Sequence, residues 1–252
     1  MKELKVHGLR VEVCGSHGEL AARAAAAAAA CLRSTLAGGA RARVILASAA
    51  SQVRFLDALT SEAGIEWSRV VCFHMDEYLG IGADHPASFR RFIRERVEQP
   101  LRPATVHYLG GEADEPIEEC DRYAGLVREA PVDLCVLGIG ENGHVAFNDP
   151  PVANFEDPRT VKLVRLDEAC RRQQVGEGAF PSLEAVPQFA YTLTVPALCA
   201  ARRMIAVVPE RRKAEAVRAA LRGPIHTVCP ASVLRRQSHA TLFLDPDSAS
   251  LL

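Results

Sequence analysis

Two adjacent carboxylates, Asp76 and Glu77, follow directly on the apolar run 70–75. Desolvating them at a strand end has to be compensated, and a carboxylate so placed can be tuned into a general base. The plainer reading of the pair is a helix cap or a solvated turn. A second group is His144 with Asp149, linked by a loop that Pro150 closes. Imidazole titrates near neutrality, and a carboxylate folding back on it fixes its tautomer and raises its basicity; a chance pairing is the alternative. A third is Pro209-Glu210-Arg211-Arg212-Lys213. Lysine in the first turn of a helix opposes the dipole, so either an anion such as phosphate holds Lys213 or the turn is simply solvated. The fourth is Ser48-Ala49-Ala50-Ser51, where Ser51 is expected to cap a helix and, with Ser48, to offer a hydroxyl to phosphate.

Gly138-Ile139-Gly140-Glu141-Asn142-Gly143 fits the dinucleotide fingerprint and follows an apolar run. That fingerprint must open a helix, and Pro150, Pro151 and Pro158 interrupt the interval where the helix would run. No nicotinamide cofactor is therefore expected. Gly140 and Gly143 would still let backbone N–H groups approach an oxygen-rich ligand, with His144 at the rim, or else form an ordinary strand-to-loop turn. The proline-interrupted segment 145–160 has the character of a site loop or lid. No His-Glu-x-x-His or Cys-x-x-Cys spacing occurs, so no metal and no other cofactor is expected.

Strands are expected at 9–13, 43–47, 70–75, 132–137, 161–166, 190–195, 203–208 and 240–244. Helices are expected at 17–37, 51–63, 88–98, 115–129 and 210–221. Short continuous apolar runs are the pattern of strands buried on both faces. Their alternation with helices predicts an α/β fold: one doubly wound, mostly parallel, Rossmann-like sheet flanked by helices, as a single domain over 1–252. Such sheets bind ligands beyond the carboxyl ends of their strands, which is where all four groups above fall.

The chain has 252 residues, 48% hydrophobic and 24% charged, with 30 Lys+Arg against 31 Asp+Glu. This is globular composition, and a net charge of -1 gives no general field for nucleic acid or an acidic membrane. No run reaches the ~20 apolar residues of a membrane span, and the N-terminal segment lacks the apolar stretch of a signal peptide. The eight scattered cysteines are expected to be reduced thiols, mostly buried, in a cytoplasmic protein. Oligomeric state leaves no readable mark, and a homo-oligomer is compatible with the sequence.

Phe73-His74-Met75-Asp76-Glu77-Tyr78, His85-Pro86-Ala87-Ser88-Phe89 and the run from Leu137 through Gly143-His144 to Asp149-Pro150 resemble, in order, the pattern of the glucosamine-6-phosphate deaminase (glucosamine/galactosamine-6-phosphate isomerase) family. The resemblance runs from the first expected strand to about residue 245. It implies an enzyme that isomerises a phosphorylated amino sugar and releases ammonia without a redox cofactor. By that analogy His144 opens the pyranose ring and Asp149 orients it. Asp76 carries the proton from C2 to C1, while Lys213, Ser51 and the 48–51 backbone hold the phosphate. The sequence departs from the pattern in places. Asn142 stands where many members carry a carboxylate, so a second carboxylate would have to come from Glu141. Asp149 replaces the usual Glu, and Ala49-Ala50 replaces a glycine-rich turn. The family's phosphate-site arginine aligns near Gln174, with Arg171 and Arg172 close by. Two other readings compete: a 6-phosphogluconolactonase-like hydrolase, which would need no C2 base, and a non-catalytic sugar-phosphate sensor.

Overall fold

Apolar runs too short for helices set the architecture. The computed structural model describes residues 2–252. Its strands are β1 (Lys2–Val6), β2 (Leu9–Val13), β3 (Ala42–Leu46), β4 (Val70–His74), β5 (Asp76–Tyr78), β6 (Thr105–His107), β7 (Leu134–Leu137), β8 (Val161–Arg165), β9 (Phe189–Leu193), β10 (Arg203–Val208) and β11 (Ala240–Leu244). Its helices are α1 (His17–Ala37), α2 (Val53–Thr60), α3 (Phe89–Ile93), α4 (Gln99–Leu101), α5 (Pro116–Arg128), α6 (Glu168–Gly176), α7 (Val195–Cys199) and α8 (Ala214–Arg222).

The main sheet has the order β1-β2-β11-β10-β7-β3-β4-β6. Only β1 and β2 pair antiparallel; every other neighbouring pair is parallel. β3, β4, β7 and β11 are buried at every residue, which is why they read as continuous apolar runs. One core layer holds Phe73, Leu137 and Val208 against Tyr123 of α5 and Val217 of α8. The opposite layer holds Leu46, Cys72 and Val136 against α1 and α2. The alanines of α1 serve that layer: Ala24, Ala25, Ala28 and Ala29 recur at helical spacing and are fully buried, so the helix backbone lies close to its neighbours. From β3 the chain winds outward through β4 to β6, then returns to the other side of β3 at β7. The crevice at that reversal, beyond the carboxyl ends of β3 and β7, is where this class of fold takes ligands.

Several expectations are corrected. Segments 161–166 and 190–195 do not join the main sheet. They form β8 and β9, which pair antiparallel with each other and with β5 in a separate three-stranded sheet. The signal lies in β8, where Leu163 and Arg165 are more exposed than their neighbours, a pattern that suits a sheet covered on one face. The run 70–75 leaves the main sheet at His74, and Asp76 begins β5 in the second sheet. Ser51 caps no helix: it sits in a tight turn, Ala50–Gln52, and α2 starts at Val53 without a side-chain cap. The helix expected at 88–98 begins as α3, capped by Ser88, and loosens into a π turn, Arg94–Glu98. β1, β6 and α6 had no clear sequence signal. All eight cysteines are unpaired, and among the described residues no helix is long and apolar enough to cross a membrane.

Candidate active site

A cavity of ≈ 320 Å³ opens at the crevice, a size within the roughly 300–1,000 Å³ of small-molecule sites. Ser48 and Ser51 line it from beyond β3, Asp76 from beyond β4, Gly140 and His144 from beyond β7, and Lys213 from beyond β10. Residues far apart in sequence thus meet because parallel strands end on one edge of the sheet.

Asp76 and Glu77 part company because successive strand side chains point to opposite faces. Asp76 reaches the cavity, whereas Glu77 does not. Glu77 is buried at the start of α3, accepting hydrogen bonds from Ser88 Oγ (2.9 Å) and from the backbone N–H of Phe89 (3.2 Å) and Arg90 (2.9 Å). Glu77 thus shares the capping of α3 with Ser88, and Asp76 is the carboxylate of the pair that faces the cavity. Burial, helped by the charge of Glu77, pushes the Asp76 carboxyl well above the ordinary carboxylate range.

His144 packs so closely on Gly140 that a Cβ there would collide with the imidazole Cε1. His144 Nδ1 lies 2.9 Å from Asp149 Oδ1 and 2.7 Å from Asn142 Oδ1. Both partners are acceptors, so the ring proton belongs on Nδ1 and the lone pair on Nε2. Asn142 Oδ1 also accepts from the His144 backbone N–H (3.0 Å), and Asn142 Nδ2 donates to Asp149 Oδ1 (3.0 Å). Asn142 and Asp149 stand behind the imidazole and do not line the cavity. Burial alone would raise the Asp149 carboxyl, but hydrogen bonds from His144, Asn142 and the Asp167 N–H hold it below the usual range. The shorter Asp side chain is thus long enough for its task. Cys170 completes a trio with His144 and Asp149 whose polar atoms lie within 4.8 Å of one another. These are donors that a soft divalent cation could use, but the imidazole and carboxylate atoms already engage each other.

The loop carrying His144 is tied to the strand beside Asp76. Thr192 of β9 is the register partner of Asp76, and its Oγ1 accepts from the Phe147 N–H (3.1 Å) and Asn148 Nδ2 (3.4 Å). Asn148 Nδ2 also donates to the Leu193 carbonyl (2.8 Å).

At the other end of the cavity lies the lysine turn. Glu210 adopts φ 81°, an unfavourable conformation for a side-chain-bearing residue, held by its N–H on Asp245 (3.0 Å to Oδ2). That kink turns Lys213 inward, where it is 3% exposed. Burial lowers the pKa of its ammonium below the usual lysine value, and the nearest carboxylate, Glu177 Oε1, is 4.0 Å away. Ser48 Oγ is buried without a partner among the described residues. Ser51 Oγ accepts from Gln52 Nε2 (3.2 Å).

Some expected site residues do not converge here. Glu141 lies outside the cavity and faces Arg212 (3.4 Å), because Asn142, and not its neighbour, turns toward the histidine. Gly143 is also outside, with φ 84° and no room for a Cβ beside Cys229 Sγ (2.8 Å). The amides of Gly140 and Gly143 donate to the carbonyls of His144 (2.9 Å) and Gly140 (3.0 Å), so these glycines shape the loop and present no free N–H to a ligand. Arg171 is occupied by the Leu183 and Val186 carbonyls, and Arg172 by Glu168. Gln174 does line the cavity, but as a buried neutral amide that accepts from Tyr78 Oη (2.7 Å). Sequence reasoning missed Arg96, Gln173 and Glu177, which all line the cavity. Phe89, Phe92 and Arg96 have the i, i+3, i+7 spacing of one helix face, a signal that was available; Glu177 offered none.

Fold and cavity together define an α/β enzyme whose titratable cavity residues Asp76, His144 and Lys213 sit beyond strand ends. A family model for glucosamine-6-phosphate isomerases/6-phosphogluconolactonase matches residues 15–243, and the chain belongs to that family. It is 38% identical over 194 residues to a glucosamine-6-phosphate deaminase of Exiguobacterium sibiricum, covering 74% of this chain and 75% of that one. It is 32% identical over 191 residues to that of Listeria innocua, covering 76% and 80%. A solved structure of a monomeric glucosamine-6-phosphate deaminase superposes with a TM-score of 0.88 at 29% identity, covering 96% of this chain and 99% of that one. A 6-phosphogluconolactonase from Shewanella baltica gives 0.77 at 18% identity, covering 96% and 98%, a likeness of fold alone.

Proposed function

We propose that this chain converts glucosamine 6-phosphate and water to fructose 6-phosphate and ammonia. The observation that carries the reading is that the Asp76 carboxylate and the His144 imidazole line one cavity with Lys213. His144, oriented by Asp149 and Asn142, takes the proton of the C1 hydroxyl at Nε2 and delivers it to the ring oxygen as the C1–O5 bond breaks. Asp76 then removes the proton from C2 of the open-chain aldehyde as the C1 oxygen takes one from water, giving an enolamine across C1 and C2. The same carboxyl returns the proton to C1 while the amino group gives one up to water, leaving an imine at C2; one group suffices for the carbon-to-carbon transfer because the two carbons are adjacent. Water adds at C2, and ammonia leaves as the ketone forms. Hydrolysis of that imine is what the term deaminase describes here.

Asp76 suits its task because burial makes its carboxylate more basic without removing its access to the ligand. Phosphate held at Lys213 supplies binding energy remote from the reacting carbons and fixes their position. A cytoplasmic setting accords with unpaired thiols, and no cofactor takes part in these steps.

Ammonia release from glucosamine 6-phosphate, followed by a coupled dehydrogenase assay, tests the reading. Steady release by the wild-type protein is expected. Hydrolysis of 6-phosphogluconolactone with no ammonia would overturn it in favour of the lactonase. A rise in melting temperature with sugar phosphates but no turnover would overturn it in favour of a sensor.

A further inference from the structure

We propose that Arg96, in the π turn after α3, is the second cation that holds the phosphoryl group, a specificity-determining contact for phosphorylated over free amino sugars. The inference rests on the sugar-phosphate reading above. It starts from charge. Among the described residues lining the cavity, the cations are Lys213 and Arg96, and the carboxylates are Asp76 and Glu177. Glu177 lies 4.0 Å from the Lys213 ammonium, so that pair is close to neutral. A phosphate monoester carries roughly -1.5 to -2 at pH 7. Lys213 alone leaves most of that charge uncompensated, and no arginine from α6 is available to help.

Geometry supplies the replacement. The Arg96 guanidinium lies 5.4 Å from the centre of the Phe92 ring, which also lines the cavity. Its ionic partner is Asp57 of α2 at 3.5 Å, one helical turn beyond Val53, another cavity residue. Arg96 therefore stands on the wall formed by the 48–51 turn and the start of α2. The N–H groups of Ala49, Ala50 and Ser51 have no acceptor there among the described residues, and Ser48 Oγ is buried without one. The Asp57 carboxylate is 65% exposed, so this pairing is weak and yields readily to a dianion. Arg96 sits in a π turn, where the Gln99 N–H reaches back five residues to the Arg94 carbonyl just before Pro100. Ala49 and Ala50 put no side chain larger than a methyl into the cavity at the 48–51 turn.

The test compares wild type, Arg96→Gln and Arg96→Lys in two arms. In the first, Arg96→Gln should raise KM for glucosamine 6-phosphate by roughly 10–100-fold, the worth of a charge-assisted contact, with kcat within about threefold. Arg96→Lys should recover part of the loss, and a slow rate on unphosphorylated glucosamine should not change. In the second arm, calorimetric titration with inorganic phosphate should show binding weakened by a similar factor, in proteins whose melting temperatures match wild type. Unchanged KM and phosphate affinity in Arg96→Gln would overturn the proposal, as would a loss confined to kcat. Failure of the wild type to release ammonia would defeat the functional reading alone, because the phosphate arm still decides the role of Arg96. A wild type that releases ammonia but binds no phosphate would overturn the role of Arg96 alone.

Discussion

The two ends of the cavity are built on opposite principles. At the histidine end the groups behind the imidazole already engage one another: Asp149 Oδ1 receives both Asn142 and His144, and Asp149 Oδ2 receives the Asp167 N–H at 3.2 Å. At the lysine end the groups are left wanting. Ser48 Oγ has no partner among the described residues, and Lys213 has only a carboxylate at 4.0 Å. Proton transfer demands fixed geometry and anion binding demands unsatisfied donors, and the two ends differ in the way the proposed division of roles requires.

The comparison breaks most clearly at Asp76. Asp76→Asn should reduce ammonia release by at least ~10⁴-fold and abolish exchange of the C2 proton with solvent, while phosphate still binds. The same change should raise thermal stability at pH 7, by about 2–4 °C for each kcal/mol regained. A carboxyl whose pKa is raised in the folded state favours its protonated form, so its ionisation costs stability as pH climbs above ~3.9. The advantage of Asn should therefore disappear in melting curves recorded below that pH. In activity the same shift should place the acid limb of the wild-type kcat/KM profile above the ordinary carboxylate range.

Next in size is His144→Gln, expected to slow turnover roughly 10²–10⁴-fold. On 5-deoxyglucosamine 6-phosphate, which cannot close the pyranose ring, the defect should largely vanish. An equal loss on both substrates would make His144 a positioning group and not the ring-opening one. Thr192→Val should leave the buried Phe147 N–H unpaired, at ~1–3 kcal/mol, lowering the melting temperature by about 2–12 °C. It should also slow turnover about tenfold, and Thr192→Ser should restore both. The smallest effect sharpens the binding end. Glu177→Gln removes the charge facing Lys213 and should tighten inorganic phosphate about 3–10-fold in calorimetry.

The same contrast explains what could be read from the amino-acid sequence. His144, Asn142 and Asp149 lie within one loop, and their local spacing already suggested that they meet. The parallel core was legible because fully buried strands leave uninterrupted apolar runs. The lysine end gathers Ser48, Arg96, Glu177 and Lys213 from separate elements, and no short window of sequence contains two of those elements. Gln174 drew attention by its position after β8, yet the charge it lacks is sought on a different helix. Asp76 and Glu77 were indistinguishable as neighbours, and only the break between β4 and β5 shows which one faces the ligand. β8 and β9 were misplaced because pairing partners, unlike burial, leave little trace in a five-residue strand.

Asp76 and His144 belong to different sheets' edges, and Thr192 is the rivet between them: paired to the first through the backbone and to the second's loop through its hydroxyl. The separation of acid and imidazole is accordingly gauged by one strand of the minor sheet. Descendants of this chain could shorten or lengthen that gauge by altering β9 alone, retuning which bonds of a sugar fall between the two groups while the large sheet and its anion-holding rim stay as they are.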